Sequence, residues 1–144
     1  MNKKRPGVPI ITRSFASREI RPGDTWKVYI QATDPEGDMK TIICEVSQVG
    51  RGSYPVSYVK VPEDQGGELS GFIYLNTGAG QSLPFIHLTL QVEIQDRARN
   101  LSRPVSFSLV FNPRAEQEPP PPGLFQDEEI GPVMVSLDLQ TGGP

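Results

Sequence analysis

Alternation of apolar and polar side chains is the sequence feature that most constrains what this chain can fold into. Within residues 85–96, apolar side chains occupy every second position: Ile86, Leu88, Leu90, Val92 and Ile94. A β-strand points successive side chains to opposite faces, whereas a helix would scatter the same set around its axis. The segment therefore predicts a strand with one buried face.

Two other segments alternate as strictly, and four further segments also predict strands. The apolar faces of the two strict segments are Trp26, Val28, Ile30 and Ala32 in residues 24–33, and Val105, Phe107, Leu109 and Phe111 in residues 104–111. Residues 8–15, 40–48, 55–61 and 68–76 predict the four further strands. Glycine (14) and proline (15) are abundant, and many of them fall in turn sequences between these segments.

No helical window separates the predicted strands. A parallel α/β arrangement would need helical crossovers, whereas short strands joined by tight turns are typical of an antiparallel sandwich. We therefore predict an all-β fold, a seven-stranded antiparallel β-sandwich, over residues 8–113.

Two turn motifs resemble those of bacterial immunoglobulin-like and cadherin-like domains. The first, Ala32-Thr33-Asp34-Pro35-Glu36-Gly37-Asp38, follows the second strand, and the other, Gln95-Asp96-Arg97-Ala98-Arg99-Asn100-Leu101-Ser102, follows the sixth. The resemblance covers about residues 8–112 and implies an immunoglobulin-like form of the sandwich. Arg99 stands where those domains usually place glycine.

Composition changes after Pro113. Residues 1–113 hold 13 Lys/Arg against 11 Asp/Glu, whereas residues 114–144 hold one arginine against six acids and contain the run Pro119–Pro122. Such a segment favours an extended, mostly disordered tail. The alternative is that residues 133–139 form one more strand, which adds to an edge of this domain, of a neighbouring copy or of another protein.

The two family-like turns also carry the candidate ligands for a metal ion. In an immunoglobulin-like sandwich the loops after the second and sixth strands lie at the same end. The oxygen-bearing side chains there are Asp34, Glu36, Asp38, Asp96 and Asn100. Clustered oxygens are what Ca²⁺ requires, and the cadherin-like resemblance implies the same use.

A different interpretation of these acids is favoured over calcium. Asp and Asn at turns hydrogen-bond their own backbone, and Arg97, Arg99 and Arg103 would form salt bridges with the carboxylates. Three guanidinium groups would also disfavour a cation electrostatically. The preferred prediction is therefore no metal and no cofactor, with calcium as the alternative.

The sequence offers few candidate catalytic residues. Cys44 is the only cysteine and falls in a predicted strand, so it is expected to be a buried apolar residue. His87, on the polar face of its strand, has no acid or nucleophile at a defined spacing. Trp26 is on an apolar face and is expected in the core. We predict no enzymatic activity.

The expected function is that of a non-catalytic structural or protein-binding module with a protein partner. The alternative is a calcium-dependent adhesion or carbohydrate-binding domain. No basic stripe with interleaved aromatics indicates nucleic acid, and no apolar run approaches the ~20 residues of a membrane span. The charged start lacks the apolar run of a signal peptide, so the expected location is cytoplasmic if Met1 is native, and the cell envelope or outside if the chain is an excised piece.

Overall fold

Two β-sheets share one hydrophobic core in the computed structural model, which describes residues 7–77 and 86–137. The strands are β1 (Ile10–Ala16), β2 (Glu19–Ile20), β3 (Thr25–Thr33), β4 (Met39–Gln48), β5 (Gly52–Ser53), β6 (Ser57–Lys60), β7 (Glu68–Asn76), β8 (His87–Asp96), β9 (Val105–Phe111) and β10 (Glu129–Pro132). A 3-10 turn, Glu63–Gln65, precedes β7. Within the described ranges, no helix has the length and apolar character to cross a membrane.

The first sheet has the order β1-β3-β7-β10, and the second has the order β2-β9-β8-β4-β5, with β6 also paired to β4. Each of the seven predicted segments contains a strand, and three short strands join them in the described part of the chain. Two pairs are parallel, β2 with β9 and β10 with β7, so the sheets are mixed rather than purely antiparallel. The β2 pair arises because the chain leaves the first sheet after Ala16 and joins the second at Glu19.

The core confirms the alternating patterns. Trp26, Val28, Ile30 and Ala32 of β3 are fully buried, as are the apolar positions of β8 from Leu90 to Ile94. The indole Nε1 of Trp26 donates to the carbonyl of Ser17 at 2.8 Å, which satisfies its polar atom inside the core. Cys44 is also fully buried, and burial raises the pKa of its thiol to about 12, so the thiol stays protonated and unreactive.

The outer face of the first sheet is apolar where the tail covers it. Tyr29 and Phe72 point away from the inner face yet are only 7% and 9% exposed. Their rings lie 5.3 Å apart, and the ring of Phe125 from the tail lies 5.7 Å from that of Tyr29. Tail burial therefore explains two aromatic residues that alternation alone would assign to solvent.

The tail provides hydrogen-bond partners for backbone groups of β3 that lie beyond the end of β1. The side-chain oxygen of Gln117 accepts from the Lys27 N–H at 2.8 Å, and its amide nitrogen donates to the Thr25 carbonyl at 2.8 Å. One amide side chain thus replaces a missing stretch of neighbouring strand.

Further along, the tail becomes the fourth strand of the first sheet. The Phe72 N–H donates to the Glu128 carbonyl at 2.9 Å, and the Val133 N–H donates to the Tyr74 carbonyl at 2.8 Å. Val133 is buried in the common core. This docking differs from the predicted disordered tail. It occurs because the tail pairs with the edge of β7 and buries apolar side chains at the same time.

The extra strand also differs in position from the predicted one. It covers Glu129–Pro132, not residues 133–139, of which residues 138 and 139 lie outside the described residues. The Val135 N–H bonds back to the Val133 carbonyl at 3.0 Å, and this tight turn ends the extended stretch.

Gly71 makes room for the tail, and its replacement tests the docking. A Cβ at this position would lie 2.4 Å from the Glu128 carbonyl oxygen and 3.1 Å from Cγ1 of Ile130. We expect Gly71→Ala to push β10 off β7 and to destabilise the fold by about 1–2 kcal/mol. Amide hydrogen exchange should show faster exchange at Val133.

Ser106→Ala, at an exposed position of β9, is the matched control and should leave tail exchange unchanged. Equal protection of Val133 in Gly71→Ala and in the native chain would contradict the tail contact described here.

Candidate functional site

The turns after β3 and after β8 meet at one end of the sandwich, and each is capped by its own aspartate. Asp34 Oδ1 accepts from the Glu36 N–H at 2.9 Å, and the Asp34 carbonyl accepts from the Gly37 N–H at 2.9 Å. Gly37 has a φ of +72°, a conformation that glycine adopts without steric cost. This confirms the predicted turn capping at Asp34.

Asp96 caps the second turn with both of its carboxylate oxygens. Oδ1 accepts from the Asn100 N–H at 2.8 Å, and Oδ2 accepts from the Asn100 side-chain amide at 3.0 Å. Arg99 has a φ of +72°, so this turn keeps a left-handed residue where the resembling domains usually have glycine. Asn100 therefore serves as a partner of Asp96.

Backbone bonds hold the two turns against each other and against the Gly66-Gly67 segment. The Arg97 N–H donates to the Asp38 carbonyl at 3.1 Å, and the Asp34 N–H donates to the Gly67 carbonyl at 2.9 Å. A Cβ on Gly66 would lie 2.5 Å from the Gly37 carbonyl oxygen, so this close approach requires glycine. Gly66 and Gly67 lie in a turn sequence between two predicted strands, and nothing local indicates which loop they support.

The structure brings together the carboxylates of three predicted ligands. One carboxylate oxygen from each of Asp34, Asp38 and Asp96 lies within 4.8 Å of the others. Asp34 and Asp96 are 3% and 2% exposed, and Asp38 is half-buried. Glu36 is exposed and stands outside this group, which we call the aspartate cluster.

The predicted salt bridges from Arg97, Arg99 and Arg103 to the cluster are not formed. Among the described residues, the ion pair within 4.0 Å joins Arg21 to Glu116, at 3.9 Å. All three arginines are exposed, whereas Asp34 and Asp96 lie beneath the surface. A hydrated guanidinium gains little from a surface pair, commonly about 0–1 kcal/mol, so solvent competes well for it.

Burial and crowding change the ionisation of Asp34. Burial raises the pKa of this carboxyl from 3.8 to about 6, the Glu36 N–H opposes the rise, and Asp38 and Asp96 add to it. Near neutral pH the cluster therefore holds close negative charges that a proton or a cation would relieve. An arrangement of this kind can store a proton or bind a hard metal ion.

Comparisons with known proteins leave the family open. No family model matches the chain, and no curated protein matches it. Among solved structures, it is similar to the CARDB domain of a Pyrococcus furiosus protein, whose crystal structure is described as a complex with di-metal ions. The similarity has a TM-score of 0.37 and 9% identity, over 73% of this chain and 86% of that one.

The raised pKa of Asp34 predicts how stability depends on pH. Because the folded state binds this proton more tightly than the unfolded state, the stabilisation is present below pH 3.8 and is lost as pH rises through about 6. Asp34→Asn removes the titration and keeps an oxygen for the Glu36 N–H. We compare the free energy of unfolding of Asp34→Asn with that of the native chain. This difference should shift in favour of the variant by about 2 kcal/mol between pH 4 and pH 7.5.

Urea unfolding in the presence of EDTA, at several pH values, measures this difference. Parallel pH profiles for the native chain and Asp34→Asn would show that the Asp34 carboxyl has an ordinary pKa.

Proposed function

We propose that this chain is a non-catalytic structural or protein-binding module of the bacterial immunoglobulin-like type, and that the edge of β7 is its binding surface. The supporting observation is the tail strand, since Glu129–Pro132 already occupies this edge as an added parallel strand. Strand addition is a general mode of peptide recognition, in which backbone bonds provide affinity and side-chain pockets provide selectivity.

The contacts of the tail describe the kind of segment that suits this edge. Backbone bonds at Phe72 and Tyr74 require an extended chain, and the Ser70 hydroxyl accepts a further N–H, that of Gln126, at 2.9 Å. The missing side chain at Gly71 leaves room for a branched residue, which is Ile130 in the tail. A partner segment would thus be extended, with branched apolar residues at the places of Ile130 and Val133.

The weakness of the tail strand supports exchange with a partner. It has only four residues, and its register shifts between Glu129 and Gly131. Its residues before Val133 remain partly or fully exposed, apart from Gly131. A short, irregular strand held on a tether is displaced more readily than a long one of regular pairing.

The side chains that enzymes commonly use support a non-catalytic role. The Cys44 thiol is buried and protonated. His87 is exposed at the start of β8. Neither lies beside a partner that would make it a nucleophile or a general base in the contacts of the described residues.

A labelled peptide of residues 124–137 tests whether the β7 edge accepts a strand from outside. Val133→Asp in the full chain should undock the tail, because it places a charge in the core. We expect this variant to bind the peptide about tenfold more tightly than the native chain, whose own tail competes at an effective concentration of roughly millimolar. Fluorescence anisotropy in EDTA measures both affinities.

The matched control is the same peptide with Val133→Asp, which should not bind either protein. Near-UV circular dichroism checks that the variant protein stays folded, and Ile130→Asp provides a second way to undock the tail. Failure of the native peptide to bind a folded, undocked variant would exclude the β7 edge as a strand acceptor.

A further inference from the structure

Hydrogen bonding accounts for only part of the aspartate cluster. Turn capping uses Asp34 Oδ1 and both oxygens of Asp96. When both acids are ionised, two buried oxygens, Asp34 Oδ2 and Asp38 Oδ1, have no hydrogen-bond donor among the described residues, and a proton on Asp34 would let the two carboxyl groups bond to each other. Asp34 is only 3% exposed, so bulk water does not replace the missing partner.

An unpartnered carboxylate oxygen in a buried position is costly, and native proteins rarely leave one unexplained. Here the cost is compounded, since the two unpartnered oxygens belong to neighbouring acids and a third acid lies within the same 4.8 Å. Capping of the turns does not require this arrangement, because the capping bonds use other oxygens.

The donor set suits a hard divalent cation such as Ca²⁺. Three carboxylate oxygens lie within 4.8 Å of one another, close enough to contact one ion. Ca²⁺ takes about six to eight oxygen ligands in flexible geometry, so three protein oxygens and several waters can form its shell. Mg²⁺ requires a near-ideal octahedron and gives up its waters reluctantly, so a turn site of this kind favours Ca²⁺.

The surroundings leave space beside Asp38 and place no side-chain counter-ion against the carboxylates. A cavity of about 260 Å³ borders Asp38, which gives room for the waters that complete a calcium shell. Lys40, Lys60 and Arg97 also line this cavity. None of the three comes within 4.0 Å of a cluster carboxylate in the described part of the chain.

We propose that Asp34, Asp38 and Asp96 bind one Ca²⁺ ion, which ties the β3–β4 turn to the β8–β9 turn. Asp34 contributes Oδ2 and Asp38 contributes Oδ1, while one oxygen of Asp96 coordinates the ion and still accepts its bond from Asn100. The ion binds the folded state only, because the unfolded chain does not hold the three carboxylates together. This site goes beyond the proposed function and lies apart from the β7 edge.

Calcium titration of the full chain, first stripped of metal with EDTA, tests the site. We expect one ion per chain by isothermal titration calorimetry and a melting temperature about 5 °C higher in 5 mM Ca²⁺. Equal Mg²⁺ should produce a clearly smaller shift.

Asp38→Asn separates metal binding from a structural role, because the turn-capping bonds use the carboxylates of Asp34 and Asp96 and the repulsion within the cluster falls. We expect this variant to melt in EDTA at or above the native temperature and to lose the calcium shift. Asp34→Asn should lose the shift too, and it serves if Asp38→Asn does not fold. Glu36→Gln, on the same turn but outside the cluster, is the matched control and should keep the full response.

Three results would each overturn the proposal. They are an unchanged melting temperature of the native chain in 5 mM Ca²⁺ with no heat of binding, a full calcium shift in folded Asp38→Asn, and a Mg²⁺ shift as large as that of Ca²⁺. The peptide experiment at the β7 edge is done in EDTA, so its outcome is independent of these.

Discussion

Packing of the inner face of β3 against the second sheet is the interaction on which the rest of the structure depends. This strand is paired on both sides, with β1 and with β7, so its register sets theirs. A slip of one residue would move Trp26 and its alternate neighbours from the core to the opposite face. Burial of this one face therefore determines where β3 ends, and so where the turn at Asp34 begins.

The aspartate cluster is a consequence of that register. The β3–β4 turn delivers Asp38 directly before Met39, and Met39 pairs with Asp96 at the end of β8. Two turns that are far apart in sequence are thus brought together by the pairing of the strands that carry them. Turn bonds satisfy one oxygen of Asp34 and both oxygens of Asp96, whereas Asp34 Oδ2 and Asp38 Oδ1 are buried without a donor among the described residues.

The tail covers the edge of β7 and the apolar outer face of the first sheet, which would otherwise be exposed. A free sheet edge is a template for unwanted pairing, and proteins commonly cover it. Here the cover comes from the same chain. Gln117 satisfies the backbone of β3, Phe125 packs on Tyr29, and β10 completes β7. The same contacts are the basis for proposing that this edge binds an extended segment.

Sequence by itself determined the strands of the seven predicted segments, the inner face and the two capped turns, because these depend on periodicity and on bonds between neighbouring residues. It also placed Asp34, Asp38 and Asp96 at one end of the sandwich. Tertiary structure alone decided that the tail docks on β7, that Glu36 stays outside the cluster, and that the nearby arginines remain in solvent. Those outcomes depend on burial and on distances between segments far apart in the chain, and local patterns carry no information about either.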